Sequence, residues 1–208
     1  IALLHGWGMQ AKFFDHQVSA LSPNFRVIAP DLRGHGQSSQ VEDRQGLQTL
    51  VADVAELLVA LELDGALLVG WSMGAMVAWG LMQRKESARI AGLVTIDMVP
   101  KLLNDADWQF GLRDGQDASV FTSVTRRMVD DWPGFTRFIV PRIFASGQRD
   151  DRRTMADRMI AETEKNDPVS MGRLWMSMAE QDFRGGLAKI DTPTRVVHGA
   201  LSQLYSDA

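Results

Sequence analysis

Residues 70–74 read Gly-Trp-Ser-Met-Gly, one serine held between two glycines where an apolar run (67–70) meets a second apolar segment. A G-x-S-x-G pattern can present a nucleophile: a strand that turns abruptly into a helix forces its serine into strained backbone geometry. Glycines at Gly70 and Gly74 remove the Cβ atoms that would collide in so tight a turn. Ser72 Oγ would then stand above the sheet, with the Met73 N–H at the helix start facing a developing oxyanion. With glycine and serine each near 7% of residues, three fixed positions arise by chance in about one chain of this length in fifteen. The predicted strand-to-helix junction therefore carries the argument, because the chemistry requires that context. His5-Gly6-Trp7-Gly8 closes an earlier apolar run in a similar way. Its glycines let the loop offer the Trp7 N–H as a second oxyanion donor, while His5 is expected to bond loop backbone.

The elements that must position these groups alternate. Apolar runs at 1–5, 25–31, 65–71, 90–97 and 194–200 read as strands. Phe13, Phe14, Val18 and Leu21 form one helical stripe. Leu47, Leu50, Val51, Val54, Leu57, Leu58 and Leu61, at spacings of three and four, form another. Residues 73–85 supply a third helix. Near-continuous apolar strands separated by helices predict an α/β fold, a doubly wound and mostly parallel sheet covered on both faces. Between Asp97 and Thr194 the pattern is helical, with Trp108, Phe110, Trp132, Phe135, Phe138 and Trp175 at helical spacing. The expectation is one domain over 1–208, with a core at 1–100 and 191–208 and a helical lid inserted at about 101–190. The lid's aromatics and Met155, Met159, Met171, Met176 and Met178 are expected mostly as helix core, a minority lining an apolar pocket. The charged run 147–154 reads as a solvated connector, and Asp31 and Arg33 as a pair bracing the glycine turn that follows Pro30.

Composition narrows the classes. The 208 residues are 45% hydrophobic and 23% charged, with a net charge of −4, which fits a globular domain and argues against a nucleic-acid surface. There are no cysteines, which rules out disulfides and Cys-based metal sites and is compatible with a cytoplasmic location. No apolar run reaches the ~18 residues of a membrane span. Neither a P-loop nor a dinucleotide fingerprint nor clustered metal ligands occur, so no cofactor and no metal are implied. Oligomeric state is not legible.

Taken together, "LLHGWGMQAKFF", "VIAPDLRGHGQSS", "LLVGWSMGAMVAW", "ARIAGLVTID" and "TPTRVVHGA" resemble the α/β-hydrolase superfamily, in the family's order and near its spacings. The "HGWG…GWSMG" pair is similar to esterases of the pimeloyl-carrier-protein methyl ester type, and "LRGHGQSS" to the cofactor-free haloperoxidase and aryl-esterase branch. The resemblance implies strands in spatial order 2-1-3-4-5, which sets the Trp7 loop and the Ser72 turn on one crevice. It also implies an acid shortly after the last strand, but Ser202 and Gln203 stand there. Asp97, ending the preceding strand, is the alternative acid; a capping aspartate is the other reading of it. The family's histidine follows a further strand. His5, His16, His35 and His198 do not fit that place, so the catalytic histidine is expected outside this sequence, with truncation at both ends. The function implied is a serine hydrolase cleaving a small or medium carboxylic ester, its partner a small-molecule substrate. Alternatives are a haloperoxidase, perhydrolase or C–C hydrolase on the same triad, or a non-catalytic ligand-binding relative.

Overall fold

The apolar runs lie side by side, as segments with no polar face must. The computed structural model describes residues 1–38, 46–113, 117–145 and 150–205. Strands β1 (Ala2–Leu4), β2 (Ala66–Trp71), β3 (Ile90–Ile96) and β4 (Thr194–Val197) form one sheet in the order β1-β2-β3-β4, every pair parallel. Leu4, Leu68 and Leu93 are fully buried at its centre. Helices α1 (Asp15–Leu21), α2 (Leu47–Ala60) and α3 (Met73–Met82) fill the connections. The expected α2 stripe holds at Leu47, Leu50, Val51, Val54 and Leu58, which are buried; Leu57 and Leu61 are only partly so. Residues 73–81 of α3 are buried on every side, so this helix is a central core element rather than an amphipathic cover.

The run at 25–31 departs from its expectation as a full strand. It reduces to one parallel bridge, Ile28 against Ala2, with Leu3 N–H donating to Ile28 O at 2.8 Å and Ile28 N–H to Ile1 O at 2.9 Å. Two residues later Pro30 has no N–H to continue the ladder. Asp31 turns away to accept the N–H groups of Ala11 and Gln37 through its carboxylate. The segment still lies outside β1, so the spatial order matches the one the sequence implied.

Between β3 and β4 the chain folds as helices α4 (Ala118–Asp130), α5 (Trp132–Ile139), α6 (Asp150–Thr163), α7 (Pro168–Ala179) and α8 (Arg184–Leu187). Their starts follow local rules. Asp117, Asp131 and Asp167 each accept backbone N–H groups of the next turn, and Pro133 and Pro168 occupy first-turn positions that need no donor. The expected connector at 147–154 lies partly outside the described residues; from Asp150 onward it is already α6. No glycine or proline interrupts residues 150–163, and residues favouring helices dominate them.

All four residues of β4 are exposed, with Val196 69% and Val197 44% accessible, which makes an apolar strand edge. Such an edge templates pairing with another chain. The 208-residue chain is expected to elute from size exclusion above its monomer mass, and Val196→Lys to shift it toward monomer. A monodisperse wild-type monomer would contradict this.

Candidate active site

One residue separates β2 from α3, and it is Ser72, at φ 51° and ψ −118°. For a residue with a Cβ this region costs about 1–3 kcal/mol, so the surroundings must enforce it. They do so by close approach. A Cβ on Gly70 would sit 2.4 Å from Gly74 O, and one on Gly74 only 2.2 Å from Leu4 O. Ser72 N–H donates to Ile96 O at 2.9 Å, tying the turn to the end of β3. Both glycines are thus where the sequence placed them, for the steric reason proposed.

The 5–8 loop faces this turn: a Cβ on Gly6 would lie 3.3 Å from Ser72 Cβ. Two histidines brace it. His5 Nε2 accepts from Leu32 N–H at 2.9 Å, so the network assigns its proton to Nδ1, 2.8 Å from Gly6 O. His35 Nε2 accepts from Gly8 N–H at 3.1 Å, its Nδ1 lying 3.1 Å from Arg33 O. The rings meet edge to face, 4.9 Å between centroids. Burial lowers His5 to about 4. Burial, with the neighbouring His5 second, lowers His35 to about 3. Both are neutral structural struts, as expected of His5. The Asp31–Arg33 pair does not form. Arg33 instead makes a two-pronged bond to Asp53 of α2 at 2.6 and 2.7 Å, since Asp31 is committed to backbone N–H groups.

Trp7 is held from the helical side. Its Nε1 donates to Met171 O at 3.0 Å, and its indole packs edge-on against Trp132, Phe135 and Trp175, at 5.7, 6.2 and 5.4 Å. Asn166 Nδ2 donates to Gly8 O at 2.9 Å. Among the described residues the Trp7 N–H meets no acceptor, and the Met73 N–H, at the first position of α3, has none in its own helix.

Asp97 follows β3 at φ 49°, in the left-handed region like Ser72, its N–H donating to Val197 O at 2.8 Å. Asp97 Oδ1 is buried and makes no hydrogen bond. His198 Nδ1 stands 3.4 Å away, close enough to pair if charged but not aligned as a donor. Ser72, Asp97, Gly6 and Trp7 line one pocket with about 600 Å³ of empty space counted out to its mouth; Trp175 and Met178 supply part of its apolar wall. His16 is exposed, and neither it nor His198 lines this pocket.

Sequence reasoning missed Tyr205. Its hydroxyl reaches Met98 Sδ at 3.1 Å, and Ser72 Oγ approaches the same sulfur at 3.9 Å. Burial, with the Asp97 charge second, pushes the phenol well above its ordinary range, so it stays protonated. The available signal was position: it is the one tyrosine in the chain, in the loop past a strand's carboxyl end, where open α/β sheets bind ligands. Of the insertion's methionines, Met159, Met171 and Met178 are buried, whereas Met155 is 49% exposed.

A parallel sheet with flanking helices and a serine on a strained strand-to-helix turn define the fold class, and the chain belongs to the alpha/beta hydrolase family, whose model matches residues 1–204. Over 206 residues it is 31% identical to a pimeloyl-[acyl-carrier protein] methyl ester esterase of Sodalis glossinidius (strain morsitans), covering 98% of this chain and 76% of that protein. A non-heme chloroperoxidase of Streptomyces lividans is 30% identical over 211 residues, covering 98% and 75%. Among solved structures, a bromoperoxidase from Bacillus anthracis matches with a TM-score of 0.87 at 27% identity, covering 96% of this chain and 73% of that one.

The neutral histidine pair makes stability depend on pH. Both rings bind a proton in the unfolded chain near 6.5 but in the folded one only near 4 and 3. Their contribution is complete above 6.5 and is lost as pH falls toward those lower values. Each histidine should add a slope of about 1.4 kcal/mol per pH unit once its unfolded ring is protonated. Glu162 and Asp182, both lowered to about 2 by their basic neighbours, act only from the ordinary carboxylate range downward. Urea unfolding between pH ~7 and ~5 reads the two histidines together with the Ile1 amino group, which burial lowers below its ordinary value and which adds slope of the same sign. A wild-type slope in that window that His35→Gln lowers by one histidine's share is expected, and a flat profile would refute it.

Proposed function

We propose that this protein is a serine hydrolase of small or medium carboxylic esters, working through an acyl-enzyme. The observation that carries the reading is the left-handed backbone of Ser72, enforced by two glycines with no room for a Cβ, in a pocket shared with the Trp7 loop and Asp97. In this reading Ser72 Oγ attacks the ester carbonyl. The N–H groups of Trp7 and Met73 hold the oxyanion, a stabilisation that one donor alone can supply at about 10²–10³ in rate. An imidazole takes the serine proton and returns it to the departing alcohol, and water then releases the acyl group by the reverse sequence.

Asp97 orients that imidazole. Its buried Oδ1, without a hydrogen bond, suits an acceptor waiting for a ring N–H. The base itself is a histidine outside the 208 residues. His5 and His35 have both nitrogens engaged and are held neutral, and His16 and His198 stand off the pocket. The helices between β3 and β4 act as a lid whose Trp175 and Met178 face the acyl or alcohol part of the substrate. The family relationship and the esterase relatives raise the weight of this reading, while fold alone fixes no substrate.

Two measurements test it. A serine without a base is hardly more nucleophilic than a free hydroxyl, so the 208-residue chain should react slowly or not at all with a fluorophosphonate. Rapid stoichiometric labelling at Ser72 would assign the base to one of the four histidines present. In the natural gene product, Ser72→Ala and Asp97→Asn should each lower kcat on p-nitrophenyl butyrate by about 10³–10⁴ or more. Near-normal turnover in the aspartate variant removes Asp97 from the mechanism; near-normal turnover in the serine variant removes the mechanism.

A further inference from the structure

Beside the Ser72 pocket lies a second hollow, with about 810 Å³ of empty space when the open solvent at its mouth is counted, walled by residues 112–113, α4, the end of α5, α7 and the loop after β4. Leu112, Ile139, Trp175 and Leu204 line both hollows and so form the wall between them; a ligand that spans both lies where these side chains part. The two differ in character. The wall around Ser72 is mostly apolar, whereas the outer hollow carries Arg113, Arg127 and Arg142 and no acidic residue among those described.

The three guanidiniums are anchored but not neutralised. Arg113 donates to the Ser202 and Tyr205 carbonyls at 3.0 and 2.5 Å, and Arg142 to Phe138 O at 2.6 Å. Arg127 and Arg142 both lie against the Phe138 ring, at 5.0 and 3.7 Å from its centroid. None of the three makes an ion pair among the described residues, although Arg137 on the neighbouring α5 pairs with Glu164. Carbonyls and a ring face orient a guanidinium without cancelling its charge, and each head group keeps further N–H donors. Two cations on one aromatic ring also repel each other. The chain as a whole carries a net charge of −4, so this concentration of positive charge is local.

We infer that the outer hollow is a subsite for an anionic group, and that the substrate is an ester with an apolar middle and a carboxylate or similar oxyanion at its far end. The inference deepens the ester-hydrolase reading and rests on it only for what happens at Ser72. Planar guanidiniums match carboxylate oxygens two by two, and an anion there would relieve the repulsion between Arg127 and Arg142.

A binding measurement tests this without requiring turnover. Octanedioic acid monoamide and octanamide share an amide end and an alkyl chain and differ only in the terminal carboxylate. Their Kd values are read by tryptophan fluorescence or calorimetry at low salt. The monoamide is expected to bind at least tenfold more tightly, with the advantage shrinking as salt is raised. In Arg127→Met/Arg142→Met the two Kd values should come within threefold, while Arg127→Lys/Arg142→Lys keeps the preference. Equal affinities in the wild type, a preference that survives the Met pair, or no binding of the monoamide each overturns the subsite. Failure of the natural gene product to hydrolyse p-nitrophenyl butyrate would remove the ester-hydrolase reading and leave this result standing.

Discussion

The structure depends on one close approach: the first turn of α3 sits so near the end of β1 that Gly74 has no space for a side-chain carbon beneath Leu4 O. That contact, with Gly70 equally tight against Gly74, drives the chain through a conformation that Ser72 would not otherwise adopt. The strain is offset by the core behind it. Residues 73–81 are buried on all sides, so the helix cannot slide outward to relax the bend. A hydroxyl is therefore held in the pocket by packing on the opposite face of the helix that follows it.

The loop across the pocket is fixed by a different principle. Its backbone hangs on the ring nitrogens of two buried histidines, each in the neutral form that lets one nitrogen accept and the other donate. Its one large side chain is sunk into aromatic residues of the helical insertion. The loop thus belongs to two substructures at once. In the proposed reaction, donors fixed in advance would need no reorganisation as charge develops, which is the condition for electrostatic stabilisation.

How much of this the sequence disclosed follows from the range of each interaction. Turn chemistry is local: three residues, 70, 72 and 74, carry the steric argument, so it could be read without a structure. Strand and helix alternation is periodic and equally legible. The run at 25–31 misled because apolar content alone ignores Pro30 and the competing demand on Asp31. Contacts at long separation left no trace in spacing. Arg33 meets Asp53 rather than its neighbour Asp31, Trp7 meets Met171 across 164 residues, and Tyr205 reaches Met98 across 107. The arginines at 113, 127 and 142 lie on separate elements, and only the packing of α4, α5 and α7 gathers them.

The double allegiance of Trp7 bears on how proteins of this build can diversify. The helical insertion supplies Trp175 and Met178 to the pocket wall, so exchanging it as a cassette would alter that wall. Here the cassette also carries the seat of the indole, including the Met171 carbonyl. A chimera that imports a foreign insertion must bring a matching socket, or the recipient's loop loses its footing while every residue of its own sequence is unchanged. Exchange of insertions in this scaffold is thereby restricted to those that preserve the socket for one aromatic plug.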